Sequence, residues 1–106
     1  MKKIFIAGPY TIGDVAMNVK KAMDLSNDLM ELGFAPYCPH LTHFLHMNHH
    51  QPYEKWLELD KEYLKVCDAL IRIKGESKGA DGEVNLAQQI KIPVFTDLET
   101  LVAFFE

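Results

Sequence analysis

Positive charge is scarce in this 106-residue chain: 11 lysines and arginines face 15 aspartates and glutamates, for a formal net charge of −4. A sequence-independent grip on a nucleic-acid polymer needs the opposite balance, so that class of partner is excluded. A local anion site built from backbone amides is not. Cysteine is scarcer still. Cys38 and Cys67 are the only two, widely separated and without metal-type pairing, so they are expected to be reduced thiols in the core of a cytoplasmic protein. No apolar run approaches the length of a membrane span. The stretch Ile4–Ala7 breaks at Gly8-Pro9, too soon for a signal sequence, so neither a membrane nor a secretory leader is expected. With six glycines and five prolines there is no low-complexity tract and no linker. One domain spanning residues 1–106 is the expectation.

What the chain does have is alternation. Lys3–Ala7 is a short apolar, β-branched run that ends at Gly8-Pro9 and reads as a strand. From Asp14 to Leu32 apolar residues recur at helical spacing, and Gly33 closes the segment as a left-handed cap would. Phe34–Cys38 reads as a second strand, ended by Pro39. Residues His40 to Pro52 show no period and are expected to be irregular. Tyr53–Val66 is helical, Asp68–Ile73 a third strand, Gly75–Ala80 a loop and Asp81–Ile90 a helix. Ile92–Phe95 is a fourth strand, and Asp97 caps a last helix to Phe105. Short, almost wholly apolar strands joined by helices predict a parallel sheet covered on both faces. Ligands of such folds bind beyond the carboxyl ends of the strands, where strand order reverses. The loops Gly8–Asp14 and Lys74–Asp81 occupy that position.

Two carboxylates stand on faces that should point inward. Asp60 lies one turn from Trp56 and one from Tyr63, while the outer face of its helix already holds Glu54, Lys55, Glu58, Lys61, Glu62 and Lys65. Glu83 heads the apolar stripe Leu86, Ala87, Ile90. Singly, each has a bland explanation: Asp60 as a structural hydrogen-bond acceptor, Glu83 as a residue favoured in a first helical turn. Together they converge on one sheet edge, and a carboxylate pair in one cleft is the arrangement that cleaves glycosidic bonds. Glu83, next to the free amides of Gly79–Gly82, is expected to stay ionised and act as nucleophile. Asp60, beside Trp56 and Tyr63, is expected to be desolvated and to handle a proton. Ser77 and the loop amides offer an anion site in front of Glu83.

Gly8-Pro9-Tyr10 after the first strand, Asp60 eight residues before Asp68, and Ser77-x-Gly79-x-x-x-Glu83 after the third strand resemble the nucleoside 2-deoxyribosyltransferase superfamily, which includes the 2′-deoxynucleoside 5′-monophosphate N-hydrolases. The resemblance runs from Lys3 to about Phe95. It implies an α/β, flavodoxin-like three-layer sandwich with a four- or five-stranded parallel sheet. It also implies that Glu83 attacks the anomeric carbon, that Asp60 assists the leaving base, and that Tyr10 orients Glu83. Ser77, in place of an acidic residue, resembles the monophosphate hydrolases and implies a 5′-phosphate contact. Gly8, Pro9, Gly79 and Gly82 would shape the substrate site, with Asp14 and Asn18 near sugar or base. The first loop, Thr11-Ile12-Gly13-Asp14, departs from the pattern in having no arginine. The implied activity is N-glycosidic cleavage of (deoxy)nucleoside 5′-monophosphates through a glycosyl-enzyme. Base transfer between nucleosides and non-catalytic nucleotide sensing are the alternatives. The implied partners are a small nucleoside or nucleotide and further copies of the chain, as a homodimer or higher homo-oligomer; no cofactor is implied.

His40, His43 and His46 recur every third residue, with His49 and His50 after them. A spacing of three on a loop defines no ligand face, so no metal is expected and the histidines read as loop or lid residues. His40, directly after the second strand, is the one placed to line the cleft. Trp56, Tyr37 and Phe44 are candidates to stack on a base, although aromatics at such spacings more often belong to the core.

Overall fold

The computed structural model describes residues 1–106. Its elements are β1 (Lys3–Ala7), α1 (Val15–Glu31), β2 (Ala35–Tyr37), a 3₁₀ turn (Pro39–Thr42), α2 (His43–Asn48), α3 (Tyr53–Leu64), β3 (Ala69–Arg72), α4 (Lys78–Gln89), β4 (Val94–Phe95) and α5 (Leu98–Phe105). All strands are parallel, in the order β2-β1-β3-β4. None of the helices is long and apolar enough to cross a membrane.

The side-chain alternation of the two central strands creates the layers. Ile4 and Ile6 of β1 and Ala69 and Ile71 of β3 point to one face, where they meet Ala22 and Leu29 of α1 and Leu101 of α5. Phe5, Ala7 and Leu70 point to the other, against Leu64 of α3 and Ala80 and Ala87 of α4. Burial on both faces is why these strands carry no polar alternation. The cysteines divide between the layers, Cys38 in the first and Cys67 in the second, both free and buried.

Local signals place most element ends. Asp14 Oδ1 accepts from the Met17 amide at 3.2 Å, and Asp97 Oδ1 from the Thr100 amide at 2.8 Å. Gly33 closes α1 with φ +87°. Two expectations fail. The histidine-rich stretch is not irregular, because Pro39 starts a 3₁₀ turn that runs into α2. And α4 begins at Lys78, not Asp81, because the Ser77 hydroxyl caps it by accepting from the Ala80 amide at 3.1 Å. Gly79 and Ala80, read as loop, are helix.

Strand order reverses between β1 and β3, so the loops after these two strands splay apart at the carboxyl edge and open a cleft. They are pinned to each other at one point: Gly75, at φ +133°, presses its backbone on Pro9, and a Cβ there would lie 2.6 Å from Pro9 Cγ. Gly75→Ala therefore meets both a backbone penalty and a clash. It is expected to lower unfolding stability by about 2–3 kcal/mol in a denaturant melt.

Candidate active site

Asp60 and Glu83 come from neighbouring helices packed on the same sheet face. On α3, Asp60 shares its inward stripe with Trp56 and with Leu64, which is fully buried. On α4, Glu83 lies between Ala80 and Ala87, whose small side chains let the helix sit close to the sheet. Asp60 is 8% exposed and Glu83 7%. Burial pushes the Asp60 carboxyl up from 3.8 to about 7. Glu83 is pushed from 4.5 to about 8, first by burial and then by the Asp60 charge, with Arg72 and Lys61 opposing. The earlier start of α4 puts Glu83 in the helix's second turn rather than at its mouth. The free amides do not hold it ionised as expected; burial favours its proton. Two carboxyls repelling across one site titrate as a pair, and burial favours the protonated form of each.

Both line a cavity of about 380 Å³. The end of β1 contributes Gly8 and Tyr10, and the end of β2 contributes Pro39 and His40. His43 and His46 of α2 roof it, Tyr53, Trp56 and Leu57 of α3 form a wall, and Ser77 and Gly79 close it at the start of α4. No lysine or arginine is among the lining residues. Arg72 is turned away, donating to the Ile73 carbonyl, to Gly75 O at 2.9 Å and to Asp81 Oδ1 at 2.9 Å.

The roof is held by imidazoles. His43 Nδ1 is hydrogen-bonded to the Tyr10 hydroxyl. His46 Nδ1 accepts from Trp56 Nε1 at 2.8 Å and from the Gln51 amide at 3.4 Å. From the 3₁₀ turn, His40 Nε2 donates to the Pro9 carbonyl at 2.8 Å. The cluster does not gather three ligating side chains around a point where a metal could sit.

Of the residues singled out in the sequence, the cavity brings together Gly8, Tyr10, His40, Trp56, Asp60, Ser77, Gly79 and Glu83. Six others are not on it. Asp14 is spent capping α1, and Asn18 binds the carbonyls of Tyr10 and Ile12 at 3.1 and 2.9 Å, so it shapes the loop from behind. Pro9 turns its ring to Gly75, and Gly82 faces open space. Tyr10 has His43, not Glu83, as its partner. Tyr37 stacks on Tyr63 at 4.5 Å, and Phe44 lies on the exposed side of α2. His43 and His46, read from the sequence only as loop or lid histidines, line the cavity from a helix, and Tyr53, Leu57, Thr11 and Gln51 are among the lining residues that the sequence reading passed over. The spacing of His43 and His46 would have marked them had the stretch been read as helical.

With that geometry in place, the likenesses of the chain can be read. The fold is that of the nucleoside 2-deoxyribosyltransferases: among the solved structures it matches is the 2-deoxyribosyltransferase of the psychrotolerant bacterium Bacillus psychrosaccharolyticus. That match has a TM-score of 0.70 at 19% identity and covers 91% of this chain and 75% of that one. Within that fold, the chain belongs to the family described as a domain of unknown function (DUF7768), whose profile matches residues 2–97. No curated protein matches the sequence.

The raised carboxyl pKa values carry a stability consequence. Between about pH 4 and 8 the folded chain binds more protons than the unfolded one, so stability falls as pH rises through that window and the loss is complete above the folded values. Asp60→Asn and Glu83→Gln each remove one such group. Each is expected to raise stability at pH 8 by about 2 kcal/mol and to flatten its pH dependence between pH 5 and 8 in thermal melts.

Proposed function

We propose that this protein cleaves the N-glycosidic bond of nucleosides and their 5′-monophosphates through a covalent glycosyl-enzyme. The observation that carries this reading is the pair of buried carboxyl groups, Asp60 and Glu83, lining one small cavity, both with their protonated forms favoured by burial. In the productive arrangement Glu83 is ionised and Asp60 holds the proton. The Glu83 carboxylate bonds to the anomeric carbon as the carbon–nitrogen bond breaks. The departing base keeps the electron pair and takes the Asp60 proton. Water then attacks the anomeric carbon, giving its proton to Asp60, and Glu83 leaves with its electrons. Positive charge developing on the sugar favours ionised Glu83 as the reaction proceeds, which offsets the resting preference of Glu83 for its proton.

Transfer to a second base differs only in what attacks in the second step. The likeness in fold to a deoxyribosyltransferase supports keeping that outcome in the test. The charge of the lining favours an uncharged nucleoside over a monophosphate: it has two carboxyls and neither lysine nor arginine. For a phosphate the groups present are the Ser77 hydroxyl, already engaged with the Ala80 amide, and the first amides of α4.

Release of free base from a panel of nucleosides and 5′-monophosphates, with and without an acceptor base, is the test. Wild type is expected to release base, with Glu83→Gln slower by about a thousandfold or more. Binding without turnover in both proteins would replace the reading with a sensing domain. Because activity needs one proton on the pair, kcat should fall below about pH 7, where both carboxyls are protonated, and above about pH 8, where neither is. A rate that is flat from pH 5 to 9 would remove the shared-proton mechanism.

A further inference from the structure

Helix α2 is fastened to the molecule rather than packed into it. None of its residues is buried, and its closest packing is on the 3₁₀ turn that leads into it. Two imidazoles tie it to the body, and the ties differ in kind. His43 Nδ1 meets the Tyr10 hydroxyl, which can donate or accept, so that bond survives whichever ring nitrogen carries the proton. His46 Nδ1 accepts from Trp56 Nε1 at 2.8 Å and, more weakly, from the Gln51 backbone amide at 3.4 Å. Both of these partners can only donate, so the tie needs Nδ1 bare and the ring proton on Nε2. The His50 ring lies beside the His46 ring, with centroids 4.1 Å apart.

The two donors to His46 hold a particular place. A groove of about 680 Å³, open to solvent, is lined by Leu45 and His49 together with α3 residues from Lys55 to Lys65. Gln51 and Trp56 are the only residues that line both this groove and the cavity, so they form the boundary between the two. Asp60 follows Trp56 by one turn on the same stripe of α3 and lines the cavity. A neutral hydrogen bond favours its closed state by only about tenfold. The boundary is therefore held by a contact weak enough to open and reclose.

We infer that His46 is a positioning residue whose neutral imidazole holds Trp56 and Gln51 together as a gate between the cavity and the groove. With the bond made, the indole shuts the groove side and keeps bulk water from reaching Asp60 by that route. With it broken, Trp56 and the Gln51 segment part, and the cavity gains a second mouth for the ligand it holds. The gate governs access to the cavity and does not rest on the N-glycoside reading.

Trp56 is the only tryptophan in the chain, so its signals report on the gate directly. Two substitutions separate the acceptor from the bulk of the ring. In His46→Asn the side-chain oxygen is bonded where Nδ1 was, so an acceptor remains on a smaller group. In His46→Phe the ring remains and the acceptor is gone. Because α2 buries none of its residues, both variants are expected to keep the two core layers. The measurements are hydrogen exchange of the indole N–H by NMR and quenching of Trp56 fluorescence by acrylamide, a small neutral amide, for wild type and both variants. In His46→Phe the exchange is expected to be about tenfold faster and the quenching constant about twofold higher, while His46→Asn stays within about threefold of wild type in exchange and close to it in quenching. Exchange in His46→Phe within about threefold of wild type overturns the inference, since the bond then holds nothing. Lost protection in His46→Asn with His46→Phe unaffected also overturns it, because that is the signature of ring packing alone. Faster exchange in His46→Phe without greater quenching does so as well: the bond then exists but shuts no gate.

Discussion

Two carboxyl groups held out of water, with no cation at full strength beside them, are the constraint on which this molecule turns. Removing an ionised carboxylate from water is expensive, and a protein that does so normally supplies a partner. Here the nearest guanidinium, Arg72, spends its hydrogen bonds on two carbonyls and Asp81, which fixes the loop after β3 and leaves Glu83 only a long-range attraction. The pair is tolerated because burial favours the uncharged, protonated form of each carboxyl. A close arginine would hold the carboxyls ionised and remove the raised pKa values on which the proposed chemistry depends.

The sheet supplies the frame for that arrangement. Residue-by-residue alternation along β1 sends Ile4 and Ile6 one way and Phe5 and Ala7 the other. The helices before and after β3 therefore pack side by side on one face, which brings Asp60 and Glu83 to the same place from separate helices. The reversal of strand order between β1 and β3 then leaves a gap at the carboxyl edge for the cavity to fill. Close packing at the start of α4 depends on Gly79, where a Cβ would lie 2.7 Å from the Tyr53 hydroxyl.

Much of this was legible in the sequence, and the reasons differ by element. Strands such as Ile4–Ala7 and caps such as Asp14 and Asp97 are local signals, decided within a few residues of themselves. The inward placement of Asp60 and Glu83 followed from helical spacing alone. The start of α4 did not, because Lys78, Gly79 and Ala80 read as turn residues and only the Ser77 cap in three dimensions makes them helical. Asn18 and Tyr10 show the other limit. Their side chains chose partners on spatially adjacent segments, the loop carbonyls and His43, and spacing contains no record of such choices. The same holds for His46, whose importance comes from a tryptophan ten residues away.

The roof over the cavity is of a different kind from the rest of the molecule. Helix α2 buries none of its residues, while Phe44, Leu45 and Met47 lie on its open side. Its attachments are the imidazole contacts to Tyr10 and Trp56, not apolar packing, so it adds little to the cooperative core. Helix α2 thus lines the cavity without adding to the core, whereas Ile6 and Ala80 do both. Substitutions on the open side of α2, at Phe44, Leu45 and Met47, therefore change the outside of the roof while leaving both core layers of the sheet as they are.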